Sequence, residues 1–205
     1  MTPNILKTVY LIARLPEYNF DELRRGAFVE DCPAPVDGKG YRGIDRMPWF
    51  DFYEAHLQDL LESAEDRSLF SAWSKSKRVC GISVIDKLSD AQKILEVCNR
   101  IFGCRNEIVQ IREISKDEIL SNKPIDFEFI GIEVYVDGYG SMIRSGVFEH
   151  MEYFREYIPN LTNSGLLDNF DTVLDYARRY YGLAELEKVE PFLGSYSCFQ
   201  LYAKT

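Results

Sequence analysis

The ten residues FEFIGIEVYV, at positions 127–136, constrain the fold more than any other stretch of the chain. β-branched and aromatic side chains fill the run and no proline interrupts it, so it reads as a long strand. DGYG at 137–140 and then SMIRSGVF follow it. Gly138, at the first central position of a two-residue turn, suits type II′ geometry, which needs a left-handed residue there. With Gly138 and Tyr139 as the turn, Val136 faces Ser141, Val134 faces Ile143 and Glu133 faces Arg144. This register sets apolar residues and an ion pair opposite one another.

Other segments supply partners for this hairpin. Residues 4–15 read as a first strand ended by Pro16, 79–85 (VCGISVI) as another, EIVQIREI at 107–114 as a third, and SYSCFQLYAK at 195–204 as the last. A helix opens after Pro48 with the acid-x-x-Glu spacing of Asp51 and Glu54, and carries Phe52, His56, Leu57, Leu60, Leu61 and Ala64 at helical spacing. A short helical piece covers 68–73. Ser89 and Gln92 form a capping box for a helix through Ile94, Val97, Cys98 and Phe102 that stops at Gly103. With its flanking strands this helix predicts a βαβ unit, right-handed if the strands are parallel. Two late helices span 149–157 and 169–181, the second closed by Gly182.

The pattern predicts an α+β or α/β fold: a mixed, largely antiparallel sheet of about five to six strands with helices packed on it. No linker, repeat or low-complexity tract divides residues 1–205, so a single globular domain is expected. With 13 Phe, 13 Tyr and 2 Trp the chain has the apolar material for a full core, and a chain of its 205 residues can bury roughly 70% of its unfolded surface. The main irregular region is a long loop at 31–48, which holds Pro33, Pro35, Gly38, Gly40, Gly43 and Pro48. Loops of that length inside a compact domain are uncommon and often functional or disordered.

Composition also narrows the function classes. No apolar run approaches the roughly 20 residues of a membrane-spanning helix, and the first residues lack the basic start and small-residue cleavage site of a signal peptide. Five cysteines, an odd number without secretory features, read as free thiols in a reducing, cytoplasmic compartment. Cys98 and Cys104 lie five residues apart in a gap atypical of metal sites, and only His56 and His150 could add nitrogen ligands, so neither metal nor cofactor is expected. The net charge of -9 repels nucleic-acid phosphates and anionic lipid headgroups and attracts basic proteins.

No P-loop, dinucleotide-binding, serine-hydrolase, zinc-protease or kinase signature is present. The glycines of G-K-G at 38–40 and G-Y-G at 138–140 therefore read as turn chemistry. Glu133 sits mid-strand and, by alternation, on the face of Phe127, Phe129 and Tyr135. Burial there would raise its pKa as a general acid or base requires, whereas the plain reading is a cross-strand pair with Arg144.

Two groups of residues read as binding surfaces. Tyr41, Arg42, Asp45, Arg46 and Trp49 in the long loop mix aromatics and arginines as interface anchors do, although Trp49 and Phe50 could equally plug the core. Tyr153, Tyr157, Tyr176, Tyr180 and Tyr181 lie on the late helices near Asp168, Asp171 and Asp175, and would suit a basic partner. Tyrosines at helical spacing also rim cores.

The C-terminal segment IGIEVYVDGYGSMIRSGVF, followed by GLLDNFDTVLDYARRYYG and an aromatic end strand, resembles small acidic immunity proteins of bacterial polymorphic toxin systems. The resemblance covers less than half of the chain and supplies no functional residues. It implies a protein that blocks a cognate toxin by binding, without chemistry of its own. The expected function is therefore non-enzymatic inhibition of a basic protein partner. The alternative is a small-molecule enzyme or ligand-binding domain with its site under residues 31–50, drawing on Asp45, Arg46, His56 and Glu133. A structural subunit, recognised by a broad apolar patch, is the third reading.

Overall fold

A computed structural model describes residues 8–14, 19–21, 45–46, 61, 63–75, 78–79, 82–102, 107–114, 124–136, 140–143, 146–147, 150–189 and 196–205. Its centre is a six-stranded sheet. Four strands are long: β1 (Val9–Arg14), β5 (Glu107–Ile114), β6 (Phe127–Val136) and β8 (Tyr196–Lys204). Two-residue strands, β2 (Asp45–Arg46) and β7 (Gly140–Ser141), lie at its edges, in the order β2-β1-β5-β8-β6-β7. A separate small pair joins β3 (Arg78–Val79) to β4 (Ile82–Ser83). Four helices have both ends among the described residues: α1 (Ala64–Ser74), α2 (Leu88–Phe102), α3 (Met151–Phe154), which runs into a 3-10 turn over Arg155–Asn160, and α4 (Phe170–Glu185). No helix among the described residues is long and apolar enough to cross a membrane.

The fold is α+β, and every described strand pairing is antiparallel. The βαβ expectation is corrected in its pairing. Ile85 bridges Tyr10 antiparallel at one edge of β1, while β5 lies antiparallel at the other. Ile85 and β5 therefore run parallel, with β1 inserted between them and α2 connecting them. The expected strand at 79–85 folds back on itself, since Val79 pairs with Ile82. Ser89 does not cap α2, because the helix begins at Leu88 and the Ala91 amide donates to the Lys87 carbonyl.

All four helices pack on one face of the sheet. α1 and α2 cover Ile12, Ile108, Phe127 and Tyr202. α3 and α4 cover Ile114, Ile132, Val134 and Cys198. Between these clusters the same face carries Gln110, Arg112 and Gln200, and the Tyr202 hydroxyl donates to the Gln200 Oε1 at 3.3 Å. The Arg112 guanidinium stands 5.3 Å from the centre of the Tyr202 ring, a cation–π separation. The opposite face carries a buried apolar cluster of its own, with Val9, Leu11, Val109, Ile111, Phe199 and Leu201 in contact with Val84 and Leu166.

One local feature sets the phase of β6. Phe129 is opposite Tyr202 and Gly131 is opposite Leu201, so Ile130 is an extra residue in the ladder, a β-bulge. Gly131 has φ +139°, and a Cβ there would run into the Leu166 side chain; only glycine fits this conformation and this gap. The neighbouring Ile132 amide donates to the Leu167 carbonyl at 2.7 Å and the Leu167 amide donates back at 3.1 Å. These two bonds tie the segment before α4 to the edge of β6.

The hairpin after β6 is longer than expected by one residue. Val136 pairs with Gly140 and Tyr135 with Ser141, leaving three residues between the strands. Every partner in the expected register is thereby displaced, and Met142 and Ile143 are helical in place of strand. Arg144 lies outside the described residues.

Candidate binding surface

The first expected surface is only partly described. Tyr41, Arg42, Trp49 and His56 lie outside the described residues, as does the expected helix from Pro48 up to position 60. Asp45 and Arg46 are not loop backbone: they pair with Arg14 and Ala13 as an edge strand on β1. Ala64 does not close the preceding helix but opens α1, whose Ser63 hydroxyl accepts the Asp66 amide at 3.0 Å.

Three tyrosines of the second expected surface, Tyr157, Tyr176 and Tyr180, are core residues, and Tyr153 and Tyr181 are half-buried against that core. Tyr176 is 0% exposed and Tyr180 4% exposed, and Tyr157 is buried with them. Phe154 packs 4.9 Å from the Tyr176 ring, and Tyr157 meets Tyr176 edge-on at 5.0 Å. The physical reason is the apolar stripe of α4: Val173, Tyr176, Ala177, Tyr180 and Ala184 recur at helical spacing and face the sheet. The Tyr176 hydroxyl keeps a hydrogen bond inside this core, donating to the Met142 carbonyl at 2.7 Å. Burial, then the neighbouring Tyr180 and Glu133, push its pKa well up.

Asp168, Asp171 and Asp175 are all exposed at the start of α4: Asp171 and Asp175, four residues apart, share one helical stripe, and Asp168 lies one residue before the N-cap Asn169. Asn169 fixes where the helix starts, its Oδ1 accepting the Thr172 amide at 2.9 Å. Its Nδ2 donates to Asp168 Oδ1 at 2.6 Å. The Tyr157 hydroxyl donates to Asp175 Oδ2 at 2.7 Å. Two of the three carboxylates are thus held in place by neutral donors that leave their charge intact. Asp171, in the first helical turn, also favours the helix dipole and so contributes to stability whatever else it does. A turn further on, the charge reverses: Arg179 pairs with Glu156 at 2.9 Å and its Nε donates to the Tyr153 carbonyl at 2.7 Å.

Glu133 is not where strict alternation puts it. Phe129 pairs with Tyr202 and Glu133 with Phe199, and these two residues of β8 point to opposite faces. The bulge thus separates Glu133 from Phe127 and Phe129. Its carboxylate is 1% exposed, and Oε1 accepts the Val134 amide at 3.0 Å. Cys98 and Cys198 are buried and form no disulfide. No three His, Cys, Asp or Glu side chains converge among the described residues. The sequence held a signal for the bulge, a lone glycine inside a strand pattern, but the parity change needs the partner register to be seen.

Comparison with protein-family models, with curated proteins and with solved structures returns no match.

Proposed function

We propose that this chain is a non-enzymatic binding protein, an inhibitor of the immunity-factor kind, that engages a basic protein through the acidic start of α4. The observation that carries the reading is the run of exposed carboxylates at the capped start of a helix, Asp168 just before the cap and Asp171 and Asp175 on the helix itself. It stands on a chain of net charge -9, whose field draws a basic protein toward it and speeds encounter. Tyr157 and Asn169 hold two of the carboxylates in place before a partner arrives, which lowers the ordering cost of binding.

The test is affinity capture from the native host at low salt, followed by kinetics on the captured protein with the D168N/D171N/D175N variant. Asparagine keeps a hydrogen-bond acceptor at each position while removing the charge. The association rate should fall about tenfold or more and lose most of its salt dependence. A variant that associates as fast as the native chain, or a capture that yields no basic protein, refutes the proposal.

A further inference from the structure

The helical face carries a second feature, at the opposite group of helices. α1 and α2 run antiparallel and are clamped at one end, where Arg100 pairs with Asp66 at 2.6 Å. The Arg67 Nη1 at the same end donates to the Leu61 carbonyl at 2.9 Å. Toward the other end the helices frame a recess of about 240 Å³, bounded by the second half of α1, the first half of α2 and the Val84–Lys87 segment. Leu69, Trp73, Ile85 and Ile94 line its apolar part. Phe70 holds the Trp73 ring edge-on at 5.8 Å.

Size and charge narrow the occupant. Sites for drug-sized ligands and cofactors run to roughly 300–1,000 Å³, so this recess takes about one side chain. Asp86, Lys87 and Asp90 also line it, giving two carboxylates to one ammonium. The Asp90 carboxylate is half-buried and is engaged by no ion pair or hydrogen bond among the described residues. A group with an apolar stem and a cationic head meets both requirements, its stem on the indole and its head at a carboxylate. Arginine suits this better than lysine, because its planar head stacks on aromatics and pairs with a carboxylate through two hydrogen bonds.

We infer that this recess is the socket for one arginine side chain of the basic partner, its stem against Trp73 and its guanidinium at Asp90. The inference rests on the reading of the chain as a receptor for a basic protein, and adds where that protein is anchored.

The probes are capped arginine and its neutral isostere, capped citrulline, titrated into the ¹⁵N-labelled full chain, following the Trp73 indole signal assigned with Trp73→Phe. Capped arginine should shift that signal and bind about threefold or more tightly than capped citrulline, the scale of a partly exposed ion pair. Asp90→Asn should bring arginine down to the citrulline level, and Ala72→Trp, at an exposed helical position beside the recess, should abolish both responses. Equal binding of the two probes, an arginine response unchanged by Asp90→Asn, or no shift at Trp73 overturns the socket. None of these outcomes depends on the α4 carboxylates, whose own test is the triple asparagine variant. With the captured partner in hand, Ala72→Trp should slow formation or hasten loss of the complex, and an unaltered complex overturns the assignment of the arginine to that partner.

Discussion

The hydroxyl of Tyr176 lies so close to Gly146 that a Cβ at that glycine would collide with it, while the same hydroxyl donates to the Met142 carbonyl. A helix of one half of the core is thereby keyed to the segment that follows the β6 hairpin. Gly146→Ala should destabilise the protein by about 1–3 kcal/mol, the usual scale of overpacking. Tyr176→Phe should cost about 1–2 kcal/mol, because it leaves a buried carbonyl without its donor. The double variant should cost less than the two combined, since the colliding atom is the one removed. Relief is partial, as the ring Cζ is still only 2.8 Å from the added carbon. Urea midpoints of the four proteins measure this coupling, and strict additivity would contradict it.

Gly182→Ala should do the opposite and stabilise. The glycine lies inside α4, is exposed, and an added Cβ there would meet nothing within 4 Å. Replacing an interior helical glycine with alanine is worth about 0.5–1 kcal/mol. A lower melting temperature for the variant would count against the helix continuing past this residue.

Alkaline pH should weaken the fold through its buried tyrosines. Burial, and then the hydrogen bond to Asp175 and its charge, hold the Tyr157 pKa far above the ordinary tyrosine range. Tyr176 and Tyr202 are shifted in the same direction, chiefly by burial. The folded chain keeps these protons longer than the unfolded one, whose tyrosines titrate near pH ~10. The stability they contribute is complete below that pH and is lost as pH rises toward the folded values. Denaturant midpoints should fall above pH ~10, and Tyr157→Phe should flatten that fall. An unchanged slope in the variant would exclude Tyr157 as a contributor.

Asn169→Ala removes the acceptor for the Thr172 amide and the donor to Asp168. A loss of about 1 kcal/mol is expected, measured by urea unfolding. Asn169→Ser should recover most of it, because serine caps comparably.

The long strands were readable because tertiary structure had little to override. β5 and β6 occupy the residues expected from their β-branched and aromatic runs, and β8 differs by one residue at its start. Helix ends were less legible, for a reason visible at Gly182. The residue costs about 1 kcal/mol in a helix, yet Leu183 and Ala184 beyond it pack against the core, and burying them returns at least as much. Local sequence shows the cost and hides the return. Likewise the surface on α4 was legible as tyrosines with acids, but which of them face water depends on how the helix meets the sheet. Turn length was hidden too: two- and three-residue hairpins both accept the glycines at 138 and 140, and only pairing chooses between them.

The single unpaired residue at Ile130 acts on side-chain direction as a frameshift acts on a reading frame. Upstream of it, odd-numbered positions of β6 turn toward the helices; downstream, even-numbered ones do. A relative one residue shorter between Phe129 and Ile132 could not keep its sequence unchanged on either side. It would have to exchange the apolar and acidic characters of neighbours such as Glu133 and Val134, and that exchange would date the gain or loss of the kink.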